Sequence, residues 1–261
     1  MKAGTSSLGV DLGRHPEIYV APNELHFFNS DGNYNKGISE YLKHFSYCSE
    51  KAIGEKTPSY SYHPLVPERI AQHFPKIRLI WILRDPIERA YSHYQFFVQK
   101  GIEKSPFEKA IKRETNGLNS KYFLNYLDRS IYINQINRYL QYFPIEQMCF
   151  IDYSKYIRST PETLREICLF LNVDPNYKFN VSAAKKNVTK LPFSKNLQFA
   201  LRRAMNKFKG GHYLFKQLQL LNQRKVSGYP PIPEKVKGDL KKFYTPYNNE
   251  LNEKIGLNFN D

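Results

Sequence analysis

Residues 77–83 form an almost unbroken apolar run rich in β-formers, and it ends abruptly in Arg84-Asp85-Pro86. Such a run reads as a strand buried on both faces, as found inside a parallel sheet. Asp85 suits a helix N-cap and Pro86 the first helical turn, so a helix follows at once. Arg84 is therefore expected at the carboxyl end of a central strand, where open α/β sheets bind ligands. Ser92 lies eight residues further on, about two turns at 3.6 residues per turn. A cationic fork at the strand end and a hydroxyl on the following helix can hold one phosphate between them. The plain alternative is a strand end finished by a solvated arginine.

The opening Met1-Lys2-Ala3-Gly4-Thr5-Ser6-Ser7-Leu8 has the chemistry of a phosphate loop. Gly4 lets the backbone approach an anion closely. Thr5, Ser6 and Ser7 open a helix whose first amides are unpaired donors, and Lys2 adds a point charge. The pattern is not a Walker A loop, because the lysine precedes the glycine and Gly-x-x-x-x-Gly-Lys-Ser/Thr is missing. The alternative is a frayed terminus with a Ser/Thr cap. A strand normally feeds such a loop, and none is legible before Lys2. We expect a truncated first strand, with apolar residues encoded upstream of Met1.

The rest of the chain predicts alternating strands and helices. A helix over 5–14 precedes a strand at 18–20. The segment 22–29 places Glu24 and His26 on one side of an extended stretch. A carboxylate beside a cationic anion site can take a proton from an acceptor hydroxyl or amine. The alternatives are a surface carboxylate and a structural histidine. A helix is expected over 35–45, and a strand at 52–54 ends in Glu55-Lys56-Thr57-Pro58-Ser59-Tyr60. Lys56 should emerge at the same edge as Lys2 and Arg84, or else be a solvated lysine. Helices are expected over 64–74, 105–113, 130–142 and 161–171, the last with Thr160 as its cap, and a second buried strand over 148–152. The region 176–233 reads as less regular and strongly basic, carrying Lys185-Lys186, Arg202-Arg203 and Arg224-Lys225. It suits a nucleotide lid, a polyanion-binding surface or a solvated flank. Two closing helices, 233–243 and 247–254, are expected to meet at Thr245-Pro246. The alternation makes the fold α/β with a mainly parallel sheet flanked by helices, in one domain spanning residues 1–261.

The formal net charge of +15 predicts an anionic ligand or polymer. No helix-turn-helix, zinc-finger or RNA-binding signature supports nucleic acid as the partner. No apolar run approaches a membrane span. The three cysteines, Cys48, Cys149 and Cys168, are widely separated and form no metal or disulfide framework. With no secretory signal pattern at the opening, they point to a reducing, cytoplasmic setting.

Several of these separated pieces resemble one family. The Lys2–Leu8 stretch resembles the 5′-phosphosulfate loop of sulfotransferases, and residues 84–92 resemble their 3′-phosphate motif. Glu24-Leu25-His26-Phe27-Phe28-Asn29, Glu55–Tyr60 and the tail 240–251 resemble the glycan branch, which includes heparan sulfate sulfotransferases. The resemblance spans nearly the whole chain. It implies a P-loop-type fold and a donor, 3′-phosphoadenosine 5′-phosphosulfate (PAPS), with sulfonate transfer to a hydroxyl or amine of a saccharide acceptor. By the same resemblance Lys2, Gly4, Thr5, Ser6 and Ser7 hold the 5′-phosphate and sulfonate, and Arg84 and Ser92 hold the 3′-phosphate. Glu24 is the base, Lys56 stabilises charge at the transferring group, and His26 orients the acceptor. No metal is implied. The basic adenosine loop of the glycan branch has only a poor counterpart in Lys185-Lys186-Asn187. The paired cysteines of secreted relatives are missing. Two other readings stay open: a non-catalytic polyanion-binding module on the same fold, and a P-loop nucleotide kinase.

Overall fold

The apolar run becomes β3, Leu79–Leu83, in a computed structural model that describes residues 2–116, 124–180, 189–207 and 212–260. β3 pairs in parallel with β4, Met148–Asp152, from Leu79 opposite Met148 to Leu83 opposite Asp152. Successive side chains of a strand point to opposite faces. Trp81 and Leu83 accordingly enter one apolar cluster and Ile82 another. The strand is buried on both faces toward its carboxyl end, as its composition requires.

Helices cover both faces. On one side α1 (Thr5–Leu12) and α9 (Thr160–Leu171) bring Leu8, Leu12, Leu164 and Ile167 against Ile82 and Ile151. Ile18 of β1 (Ile18–Val20) joins this cluster, and β1 pairs in parallel with β2, Ala52–Gly54. On the other side lie α5 (Pro86–Gln99), α7 (Tyr132–Leu140) and α12 (Glu234–Ile255), which bury Ala90, Tyr94, Ile133, Ile136, Tyr244 and Leu251 around Trp81. Further helices are α2 (Asp31–Tyr34), α3 (Ile38–Leu42), α4 (Val66–His73), α6 (Phe107–Thr115) and α8 (Tyr153–Arg158). The architecture is α/β, with parallel strand pairs between helices.

Four expectations are corrected. The helix expected over 35–45 is broken: the chain turns at Gly37, and α3 runs on into a 3₁₀ turn at Lys43–Phe45. Thr160 does not cap α9, because its hydroxyl donates to the Tyr156 carbonyl of α8 at 2.7 Å, and Ser159 takes the cap position. The two closing helices are one, α12, with Pro246 inside it. Leu240, Tyr244, Asn248 and Leu251 form a single buried stripe across the proline, and that shared burial outweighs the lost backbone bond. The basic region also has regular structure. It contains β5 (Thr189–Pro192), α10 (Lys195–Lys207), α11 (His212–Leu221) and β6 (Gln223–Val226), with β5 and β6 antiparallel. Among the described residues the sheet content is therefore two parallel pairs and one antiparallel pair.

Candidate functional site

The site is built where β3 and β4 end. At the end of β3 the Asp85 carboxylate accepts from the Glu88 amide at 2.7 Å and Pro86 occupies the first turn, so α5 starts at once. Burial raises the Asp85 pKa, and its bond to the Glu88 amide pulls the other way. The Tyr132 hydroxyl donates to the Arg84 carbonyl at 2.8 Å and fixes the backbone there. Burial pushes that phenol up to about 12. The Arg84 guanidinium lies 5.3 Å from the centroid of the Tyr153 ring and 3.1 Å from Glu88.

Tyr153 is the first residue after β4, so the parallel pairing of β3 with β4 sets it beside Arg84. Its other edge receives Gly4. A β-carbon at Gly4 would fall 2.6 Å from Tyr153 Cε2 and 3.6 Å from Ile82 Cδ1. Gly4 also has φ +88, a conformation that favours glycine. It stands at the N-cap of α1 and offers no capping side chain, so the amides of the first turn remain available to an outside acceptor. Thr5, Ser6 and Ser7 occupy that turn. The start of α1 thus points its dipole at the carboxyl ends of β3 and β4.

Lys2 precedes this turn in a left-handed conformation, with its ammonium 5.0 Å above the Phe96 ring of α5. Burial, and after it the Arg84 charge, lower its pKa. Two cations are thus held within reach of one another. Lys56 comes from the loop after β2 and lays its stem on α1. A β-carbon at Gly9 would meet Lys56 Cδ at 2.7 Å, so glycine is what allows that approach.

Glu24 and His26 meet at 3.3 Å, both partly exposed. The segment is not extended: His26 has φ +51, and its Nδ1 lies 3.3 Å from Asn29 Oδ1 and 3.5 Å from Ser59 Oγ. Glu55 holds this corner together, accepting from the Tyr60 hydroxyl at 2.8 Å and the Thr57 hydroxyl at 2.6 Å. Tyr60 in turn accepts from the Phe27 amide at 2.9 Å. Glu24 and His26 are therefore clamped to the loop that carries Lys56.

Ser92 sits on α5 with 4% of its surface exposed, and its hydroxyl has no hydrogen-bond partner among the described residues. Lys185 and Lys186 lie outside the described residues. The stretch after β6 does reach α5: Tyr229 packs edge-on to Tyr91, the neighbour of Ser92, with centroids 6.1 Å apart. Sequence reasoning missed Tyr153, Glu55 and Tyr60. Tyr60 was visible five residues past Glu55 in the same polar turn, whereas nothing local marks Tyr153. Among the described residues no cluster of histidine, cysteine, aspartate and glutamate could hold a metal, and no helix is long and apolar enough to cross a membrane.

The start of α1 and Arg84 meet around Tyr153 at one strand edge, with Ser92 on the helix that follows, and comparison with known proteins decides the class of the chain. The sulfotransferase domain family model matches residues 3–216. This chain belongs to the sulfotransferase family. Heparan sulfate glucosamine 3-O-sulfotransferase 5 of Homo sapiens is 32% identical over 270 residues, covering 99% of this chain and 71% of that protein. Bifunctional heparan sulfate N-deacetylase/N-sulfotransferase 3 of Mus musculus is 31% identical over 272 residues, covering 97% of this chain and 28% of that protein. A solved sulfotransferase from Alicyclobacillus acidocaldarius shares the fold, with a TM-score of 0.73 at 22% identity, covering 98% of this chain and 92% of that one. A sulfotransferase needs a site for an anionic donor. Lys2, its pKa lowered by burial and by the Arg84 charge, lies beside the start of α1, whose first amides are uncapped, and this arrangement is compatible with one.

Proposed function

We propose that this sulfotransferase moves the sulfonate of 3′-phosphoadenosine 5′-phosphosulfate to a hydroxyl or amine of a saccharide. The observation that carries the reading is the meeting of Gly4 and Arg84 at Tyr153, with Lys2 close enough to Arg84 to feel its charge, at the carboxyl ends of two paired parallel strands. The heparan sulfate relatives supply the acceptor class.

In this reading the first-turn amides of α1, with Thr5, Ser6 and Ser7 and the Lys2 ammonium, take the 5′-phosphosulfate. Arg84 and the Ser92 hydroxyl take the 3′-phosphate. The acceptor heteroatom attacks sulfur as the bond from sulfur to the bridging phosphate oxygen breaks. Negative charge grows on the departing phosphate, and Lys2 and Lys56 stabilise it where it appears. Glu24 receives the acceptor proton, and His26, 3.3 Å away, orients Glu24 and the acceptor. The Tyr229 segment closes on the nucleotide side of α5. Lysines supply the positive charge, so the scheme uses no metal.

Transfer of labelled sulfonate from the donor to pooled saccharides tests the reading, with Glu24→Gln as the control. The expected outcome is a labelled saccharide product that the variant forms far more slowly; unchanged activity would remove Glu24 as the base. Titration with 3′-phosphoadenosine 5′-phosphate should show binding that Arg84→Ala weakens by about 1.5–3 kcal/mol, the worth of a charge-assisted hydrogen bond.

A further inference from the structure

The donor site does not account for the protein's charge. Residues 175–233 contain twelve of the 39 lysines and arginines and none of the 24 aspartates and glutamates. Within this stretch Arg203, Lys216, Arg224 and Lys225 are exposed. The same surface is apolar. On α11, Leu214, Leu218 and Leu221 recur at helical spacing and are exposed, Leu221 by 75%. Leu218 and Leu221 line a groove with Leu197 and Leu201 of α10, and Phe193, 67% exposed, also lines it.

The opposite face of the helix pair is fixed to the body by polar contacts. The Gln198 side-chain amide donates to the Gln99 carbonyl at the end of α5 at 2.8 Å, and Asn222 donates to Gln198 Oε1 at 2.9 Å and to the Ser194 carbonyl at 2.8 Å. A β-carbon at Gly101 would fall 2.4 Å from the Gln198 carbonyl oxygen, so α10 sits directly on the backbone that follows α5. Gln198 thus ties this side of the pair to α5, and the leucines lie on the exposed side.

Scattered exposed leucines are ordinary, but a contiguous apolar groove rimmed by one sign of charge marks an interaction surface. We propose that the α10–α11 face docks this protein on the surface of an anionic lipid bilayer. Leucine and phenylalanine side chains enter the acyl boundary, while lysine and arginine meet the headgroups. A second copy of the chain would bring two like-charged faces together. A soluble polyanion would satisfy the lysines and arginines and gain nothing from the leucines. Only a phase that is anionic at its surface and apolar beneath it complements both. The inference does not depend on the acceptor or on the donor chemistry.

Cosedimentation of the full chain with vesicles tests it, comparing pure phosphatidylcholine with phosphatidylcholine containing phosphatidylglycerol. Binding should appear with the anionic vesicles and weaken with salt. Leu214→Ser with Leu221→Ser should lower partitioning roughly tenfold or more, since each removes buried hydrocarbon. Arg203→Glu with Lys216→Glu should lower it further. All four positions are exposed, so the variants should keep the parent's melting temperature and its affinity for 3′-phosphoadenosine 5′-phosphate. Three results would overturn the proposal. One is no binding to anionic vesicles. Another is binding indifferent to the leucines, which would make the surface merely polycationic. The third is a concentration-dependent dimer abolished by the leucine variants, which would make the occupant a second copy.

Discussion

The Arg84 guanidinium rests over the Tyr153 ring, and one edge of that ring abuts Gly4. One side chain, placed by the register of β3 against β4, spaces the two halves of the proposed anion site, which are far apart in sequence. A β-carbon at Gly4 would collide with it while the backbone stayed at φ +88.

Gly4→Ala is therefore expected to harm both stability and binding. The left-handed conformation costs a residue with a β-carbon about 1–2 kcal/mol. Forcing Tyr153 aside adds roughly 1–3 kcal/mol. Thermal denaturation should show a lowered midpoint, and calorimetric titration with 3′-phosphoadenosine 5′-phosphate should show weakened binding. Tyr153→Leu relieves the collision but removes the ring beneath Arg84, so it should cost affinity without the backbone strain. A Gly4→Ala protein with parental affinity would show that the start of α1 does not touch the nucleotide.

The two arginines of this motif should separate cleanly. Arg89 is 2% exposed, donates to Ser130 Oγ at 2.6 Å and to the Tyr126 carbonyl, and thereby ties the 126–130 segment to α5. Arg89→Ala leaves a cavity and unsatisfied acceptors, a loss of roughly 2–5 kcal/mol of stability. Among the described residues Arg84 has one ion pair, with the half-exposed Glu88, a contact worth at most about 1 kcal/mol, and it rests on the Tyr153 ring. Arg84→Ala should melt near the parent while losing nucleotide affinity. Denaturant titration and ligand titration on both variants check the contrast, and equal destabilisation by the two would contradict it.

What was legible in the sequence was local. An apolar run ended by Asp85-Pro86 can hardly be anything but a strand feeding a capped helix, and β3 and α5 follow it closely. Lys2, Gly4 and Arg84 could be nominated for the same reason, since each belongs to a contiguous motif. Tyr153 could not, because its relation to Gly4 exists only once β3 and β4 pair. Pro246 misled because a proline breaks a helix by local rules, while the stripe from Leu240 to Leu251 acts through tertiary burial. The α10–α11 pair was obscured because its leucines lie on an exposed face while Gln198 holds the other side, so the apolar spacing does not mark a buried stripe.

His93 predicts a particular acid sensitivity. It is fully buried between the Phe97 and Tyr126 rings, and neither ring nitrogen has a hydrogen-bond partner. Burial, then the charges of Arg89 and Arg129, hold its pKa well below the ordinary value. The folded protein keeps it neutral, while the unfolded chain takes up a proton near pH 6.5. Stability is thus complete above that pH and falls by about 1.4 kcal/mol per pH unit below it, until the folded-state pKa is reached. His93→Phe should remove this slope and leave neutral-pH stability equal or higher. Denaturant midpoints measured across the acid range decide it; an unchanged slope in the variant would assign the acid loss to other groups.

Lys2 yields the most direct link between electrostatics and the proposed donor. Burial and the Arg84 charge lower its pKa in the free protein. Unfolding restores the ordinary value, so holding this charge costs stability below the depressed pKa, and stability recovers as pH rises through it. A phosphate placed beside Lys2 reverses the effect, because an opposite charge favours the protonated form. Between the two pKa values the free protein has lost a proton that the complex retains, and binding must take one up. Nucleotide affinity should fall as pH rises through the depressed value. At alkaline pH the calorimetric enthalpy should depend on the ionisation enthalpy of the buffer. Lys2→Arg keeps a charge that does not titrate, so it should abolish the buffer dependence while retaining binding. Buffer-independent enthalpies in the parent protein would place Lys2 outside the donor site.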